Sequence, residues 1–138
     1  MNFKKSLTII LYVLALFPSQ IFALENKILF KINNETVTTI DIFNEIKYLT
    51  LINEEFKNFK QDEIFEIAKD SLIKEKIKEI ELKKFFKKIE LNEKFIEKFT
   101  IDYFSKFNIN SYYDLEKLLI ENKLKIEDIK KKITIQLM

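Results

Sequence analysis

At 138 residues, 47% hydrophobic and 33% charged, the chain suits one domain, or one domain plus an extension, with a globular rather than disordered composition. Its 24 basic residues are all lysine and face 22 acidic ones, so the basic excess and bidentate arginines of a nucleic-acid reader are missing. With no Cys, His or Gly, the chain has no disulfide framework, thiolate or Ser/His nucleophile, zinc ligand of the nitrogen or sulfur type, or Gly-rich phosphate loop.

The first residues read as an address. Residues 2–5 are polar and positive, residues 7–17 (LTIILYVLALF) form an apolar run, and Pro18, Ser19 and Gln20 end it before Ile21-Phe22-Ala23. This order is that of a secretory signal peptide, cleaved between Ala23 and Leu24. A spanning helix needs ~20 apolar residues, and this run is about half that, so an uncleaved anchor is the weaker alternative. Loss of Lys4 and Lys5 leaves 22 lysines against 22 acidic residues. The mature chain, residues 24–138, is then nearly neutral and is expected to work outside the cytoplasm, where no ATP is available.

A hairpin comes next. Ile28, Phe30 and Ile32 alternate with Lys27, Leu29 and Lys31, the period of a half-buried strand. Asn33-Asn34 supplies a turn, because Asn tolerates the left-handed conformation better than other non-Gly residues. Thr36-Val37-Thr38 suits a short return strand. Thr38 or Thr39 then caps a helix with Asp41 in its first turn and Ile42, Ile46, Leu49 and Ile52 on one face. Residues 53–61 read as a loop anchored by Phe56 and Phe59.

Asp62 is the expected cap of the longest helix, which runs to about Phe86. Its apolar stripe is Phe65, Ala68, Leu72, Ile73, Ile77 and Ile80, with Lys and Glu on a solvated opposite face. Glu79 and Lys83 have the favourable four-residue order. Leu91-Asn92 opens a third helix, on which Phe95, Phe99, Tyr103 and Phe107 recur every fourth residue. Ser111 and Asp114 form a capping-box-like start for a fourth helix carrying Leu115, Leu118 and Leu119. A fifth, from about Lys125, turns Ile126, Ile129 and Ile133 inward. Asn108 and Asn122 are the expected helix stops. The last helix meets the end of the sequence without a stop signal, which suggests a piece of a longer protein.

The hairpin, the Asn33-Asn34-Glu35 turn, Val37 and the helix entry Thr39-Ile40-Asp41 resemble the N-terminal domain of the SurA chaperone family and its parvulin-linked relatives. The order continues through the long Ile/Leu/Lys helix, the entry Ile89-Glu90-Leu91-Asn92-Glu93, the link at residues 108–115 and the final Ile126-Glu127-Asp128-Ile129-Lys130 helix. The likeness spans nearly all of residues 26–138 and rests on no catalytic signature. It implies a mainly α domain, a short hairpin followed by about five helices, that holds unfolded outer-membrane proteins on an apolar cradle in the periplasm. In that family, parvulin-type prolyl isomerase domains follow. They carry histidine and glycine, which this chain lacks, so no isomerase chemistry is placed on its residues.

An aromatic stripe at helical spacing is more often core than binding surface. The doublets say more, since Phe85-Phe86 and Tyr112-Tyr113 cannot both point inward from one face. The expected client contacts are Phe86, Phe99, Tyr103, Tyr112 and Tyr113. No catalytic, metal or cofactor residue is expected, and neither a nucleic-acid nor a small-molecule partner. The membrane is expected to be touched only through the signal segment. Two other readings stay open: the front of a prolyl isomerase whose catalytic domain lies downstream, and a membrane-anchored helical structural protein.

Overall fold

The computed structural model describes residues 26–107, 109 and 111–138. The expected signal segment, its expected cleavage position at Ala23 and Leu24, and the expected Asn108 stop lie outside them. The described residues form a two-stranded antiparallel hairpin followed by five α-helices, the mainly helical class expected.

Strands β1 (Ile28–Ile32) and β2 (Glu35–Thr38) pair with Ile32 opposite Glu35 and Phe30 opposite Val37. Asn33 turns the chain at φ 52, the left-handed conformation foreseen for it. The pairing slips between Ile28 and Phe30. That irregularity corrects the expected inward row, because a bulge re-phases the side chains beyond it. Phe30 packs on the core, Ile28 is exposed, and Val37 is the fully buried member of the hairpin.

Thr38 is the cap of α1 (Thr39–Ile52). The Asp41 N–H donates to the Thr38 hydroxyl at 3.3 Å, and the Thr38 N–H donates to the Asp41 carboxylate at 2.8 Å. Thr39 instead ties the helix to the strand, its N–H donating to the Lys27 carbonyl at 2.8 Å. The expected loop after α1 contains a short 3-10 helix, Glu54–Asn58, capped by Asn53. The Phe56 and Phe59 rings meet there edge to face at 5.2 Å. Phe56 packs on the core and Phe59 stays exposed.

Helix α2 (Gln61–Phe85) begins one residue before the expected cap, so Asp62 lies within its first turn. The starting N–H, that of Lys60, donates to the Glu63 carboxylate at 3.1 Å. The inward line is Ile64, Ala68, Leu72, Glu79 and Leu82 rather than the line through Ile77, which is exposed. Helix α3 (Glu93–Ser105) is capped by Asn92 as foreseen. Helix α4 (Tyr112–Glu121) is capped by Ser111, whose hydroxyl accepts from the Asp114 N–H at 3.1 Å.

Helix α4 stops at Asn122 as expected, but the left-handed residue is the one after it. Asn122 is the last half-helical residue, and Lys123 takes the left-handed conformation at φ 55. The Leu124 N–H reaches the Leu119 carbonyl at 2.8 Å and the Lys123 N–H reaches Ile120 at 2.9 Å, a Schellman closure. Leu119 and Leu124 are both buried, which supplies the apolar part of that motif. Helix α5 (Ile126–Leu137) follows and turns Ile126, Ile129 and Ile133 inward as expected.

Helix α1 lies along α2, and α5 packs on both α2 and α3. Helix α4 rests on α3, and the hairpin leans on α1 and α2. One core joins all of them, including Val37, Ile42, Leu72, Phe104, Leu115 and Ile133.

Candidate functional site

The Phe95, Phe99 and Tyr103 stripe of α3 is not its most buried line. That line is Ile96, Thr100 and Phe104. The buried Thr100 hydroxyl is satisfied by donating to the Ile96 carbonyl at 2.6 Å. In the stripe beside it Phe95 is 51% exposed, Phe99 and Tyr103 are half-buried against the core, and Phe107, expected on the helix, packs on the core from the turn after it. Neighbouring rings touch along the helix, Phe95 with Phe99 at 6.2 Å and Phe104 with both Tyr103 and Phe107 at 5.4 and 6.0 Å. The Lys106 ammonium covers the Tyr103 and Phe107 rings at 4.5 and 5.1 Å.

The Tyr112-Tyr113 doublet divides between core and solvent. Tyr112 packs on the core beneath the Lys130 ammonium, 4.9 Å from its ring, while Tyr113 is 73% exposed. On α4 the exposed Ile120 stands seven residues on, on the same outer face. Four of the five expected client contacts therefore fall on α3 and α4. Phe86 does not join them. It is exposed at the end of α2, where its neighbour Phe85 is exposed as well, so this doublet sends neither ring inward.

A second feature escaped the sequence reading, which placed all Lys and Glu on solvated faces. Lys132 of α5 is buried, and so are Glu45 of α1 and Glu79 of α2. Lys132 bonds to Glu45 at 2.8 Å and closely to Glu75, with its ammonium 5.0 Å from the Tyr48 ring. The Ser71 hydroxyl donates to the other Glu45 oxygen at 2.6 Å. Burial works against charge on Lys132, and the Glu45 and Glu75 carboxylates outweigh it, raising the ammonium above its ordinary value of 10.5. Burial, the Tyr103 phenol bonded to it and the two carboxylates all push the Tyr48 phenol up. Glu45, Tyr48, Glu75 and Lys132 line a cavity of 180 Å³ between α1, α2 and the start of α5, together with Asp41, Asn44 and Asp128.

Glu79 is the centre of a further network. Its side chain is 4% exposed and meets Lys131 at 2.9 Å, Lys83 at 3.0 Å and Lys76 at 3.7 Å. Lys83 and Lys76 also hold Glu35 of β2, at 2.8 and 3.4 Å. Burial raises the Glu79 carboxyl, and the three ammonium groups together bring it below the ordinary 4.5. The hydrogen bond from Lys83 leads in lowering Glu35.

The signal for these buried charges was present. Glu45 falls between Ile42 and Leu49, Glu79 between Leu72 and Leu82, and Lys132 beside Ile129 and Ile133. Each interrupts an apolar stripe at helical spacing. The Lys132, Lys131, Lys83 and Lys76 ammonium groups are all held by carboxylate, so the arrangement clamps the helices together. Among the described residues no group of His, Cys, Asp and Glu is placed to hold a metal ion. No described helix is long and apolar enough to cross a membrane. Comparison with family models, curated proteins and solved structures finds no match.

Proposed function

We propose that the chain is an exported, ATP-independent holding module that binds apolar segments of unfolded outer-membrane proteins. The exposed edge of the α3 aromatic stripe carries this reading. The helix fills its core contact with Ile96, Thr100 and Phe104, packs Phe99 and Tyr103 beside them and leaves Phe95 exposed. Tyr113 and Ile120 extend exposed apolar area onto α4. Aromatic rings offer large contact area with little rotamer freedom to lose, which suits weak, multipoint binding of varied sequences. The resemblance to SurA-type N-terminal domains and the signal-like N-terminus support the same reading.

The test is a titration of the exported form with a fluorescently labelled peptide of alternating aromatic and polar residues. Micromolar binding that persists in high salt is expected, because apolar contact is not screened. Phe95→Ser together with Tyr113→Ser should weaken it at least tenfold, on the scale of two lost aromatic contacts. Unchanged affinity in that variant, with an unchanged circular dichroism spectrum, would contradict the assignment of the surface.

A further inference from the structure

Residues 83–88 read Lys-Lys-Phe-Phe-Lys-Lys. They lie where α2 ends and the connection to α3 begins. Phe85, at 79%, is the most exposed large hydrophobic side chain among the described residues, and Phe86 is exposed beside it. Neither ring has an aromatic partner, and neither lines the cavity between the helices. Two adjacent phenylalanines facing water are costly unless something covers them.

The charge around them indicates what does. Lys83 is held by Glu35 and Glu79. Lys84 and Lys88 meet only exposed carboxylates, Glu81 at 2.6 Å and Glu90 at 3.5 Å. Such surface pairs hold little free energy and exchange readily for another anion. Lys87 has no ion pair. Across residues 81–90 four lysines stand against Glu81 and Glu90, an excess of two positive charges around the exposed rings.

We propose that this corner docks on an anionic lipid surface. Phe85 and Phe86 enter the interfacial layer, while Lys84, Lys87 and Lys88 take phosphate headgroups. Aromatic side chains favour the membrane interface, and lysines beside them add attraction to anionic lipid. An apolar peptide would have no use for the ammonium groups that flank the rings. The docking is independent of client binding, which uses α3 and α4. With two rings and three available lysines it is weak and reversible, since stable anchoring takes stronger signals.

The chain contains no tryptophan, so Phe85→Trp in the full chain gives a single reporter at the point of contact. Its emission is read against vesicles of phosphatidylcholine with and without phosphatidylglycerol. With anionic vesicles a blue shift and quenching by brominated acyl chains are expected, both reduced by high salt, with little response to neutral vesicles. Lys84→Gln, Lys87→Gln and Lys88→Gln should each weaken partitioning roughly fivefold. These positions are exposed, so the variants are expected to keep their helices, with circular dichroism as the check. An unshifted reporter while the chain co-sediments with vesicles would overturn the proposal, because another segment then does the binding. So would equal response to both vesicle types, or a response to unfolded client protein alone.

Discussion

Lys132 shows how a single side chain can join three helices. From α5 it reaches Glu45 on α1 and Glu75 on α2, with Ser71 completing the set on Glu45. Removing one partner from a buried ionic cluster leaves the others uncompensated. Lys132→Met is therefore expected to lower stability by roughly 3–5 kcal/mol in urea denaturation. The titrating groups give a pH dependence with a definite sign. Glu35 and Glu79 are held below 4.5, so their contribution is complete above that value and is lost as pH falls through their lower folded values. Lys132 is held above 10.5, so its contribution is complete below that value and is lost as pH rises through the folded one. Denaturation midpoints should be nearly level across the neutral range and fall in acid and in strong base. A midpoint that improved in acid would contradict the role given to Glu79.

At the scale of elements, the chemistry of the chain ends was the most legible. Thr38 with Asp41, Asn92, Ser111 with Asp114, and the left-handed Asn33 all carry the roles that their types and spacing imply. Rotation about the helix axis was less legible. On α3 and α2 apolar residues cover more than half the circumference, so several stripes fit the spacing and only the packed neighbours select one. That choice turned Phe95 and Ile77 outward and Thr100 and Glu79 inward. The hairpin register failed for a different reason, since nothing in Ile28-Leu29-Phe30 announces a bulge. The left-handed position after the α4 stop was not legible, because Lys123, a residue type with no preference for that region, occupies it. Lys123→Gly should relieve that conformation and stabilise the chain by about 0.5–1 kcal/mol, after the added freedom of the unfolded chain is discounted. A lowered thermal midpoint in this variant would mean that the lysine side chain contributes more than its backbone costs.

For the whole molecule, the ionic groups and the apolar surface have separate places. Lysine and glutamate clamp α1, α2, α5 and the hairpin from within, and Lys130 adds a clamp from α5 to Glu97 on α3 at 3.2 Å. The outward aromatics lie on α3, α4 and the end of α2. A rigid frame of this kind can carry exposed apolar area without collapsing over it, as a holding function requires. The fold class could be read from hydrophobic periodicity, whereas the proposed binding surface depends on helix rotation and could not. The measurement that bears most directly on the proposed holding function is light scattering of an unfolded β-barrel protein diluted from denaturant with the chain present. Equimolar chain should suppress the rise in scattering without nucleotide, and the Phe95→Ser, Tyr113→Ser variant should lose most of that protection while keeping its helices. Scattering unaffected by a folded chain, or suppressed equally by the variant, would contradict the account.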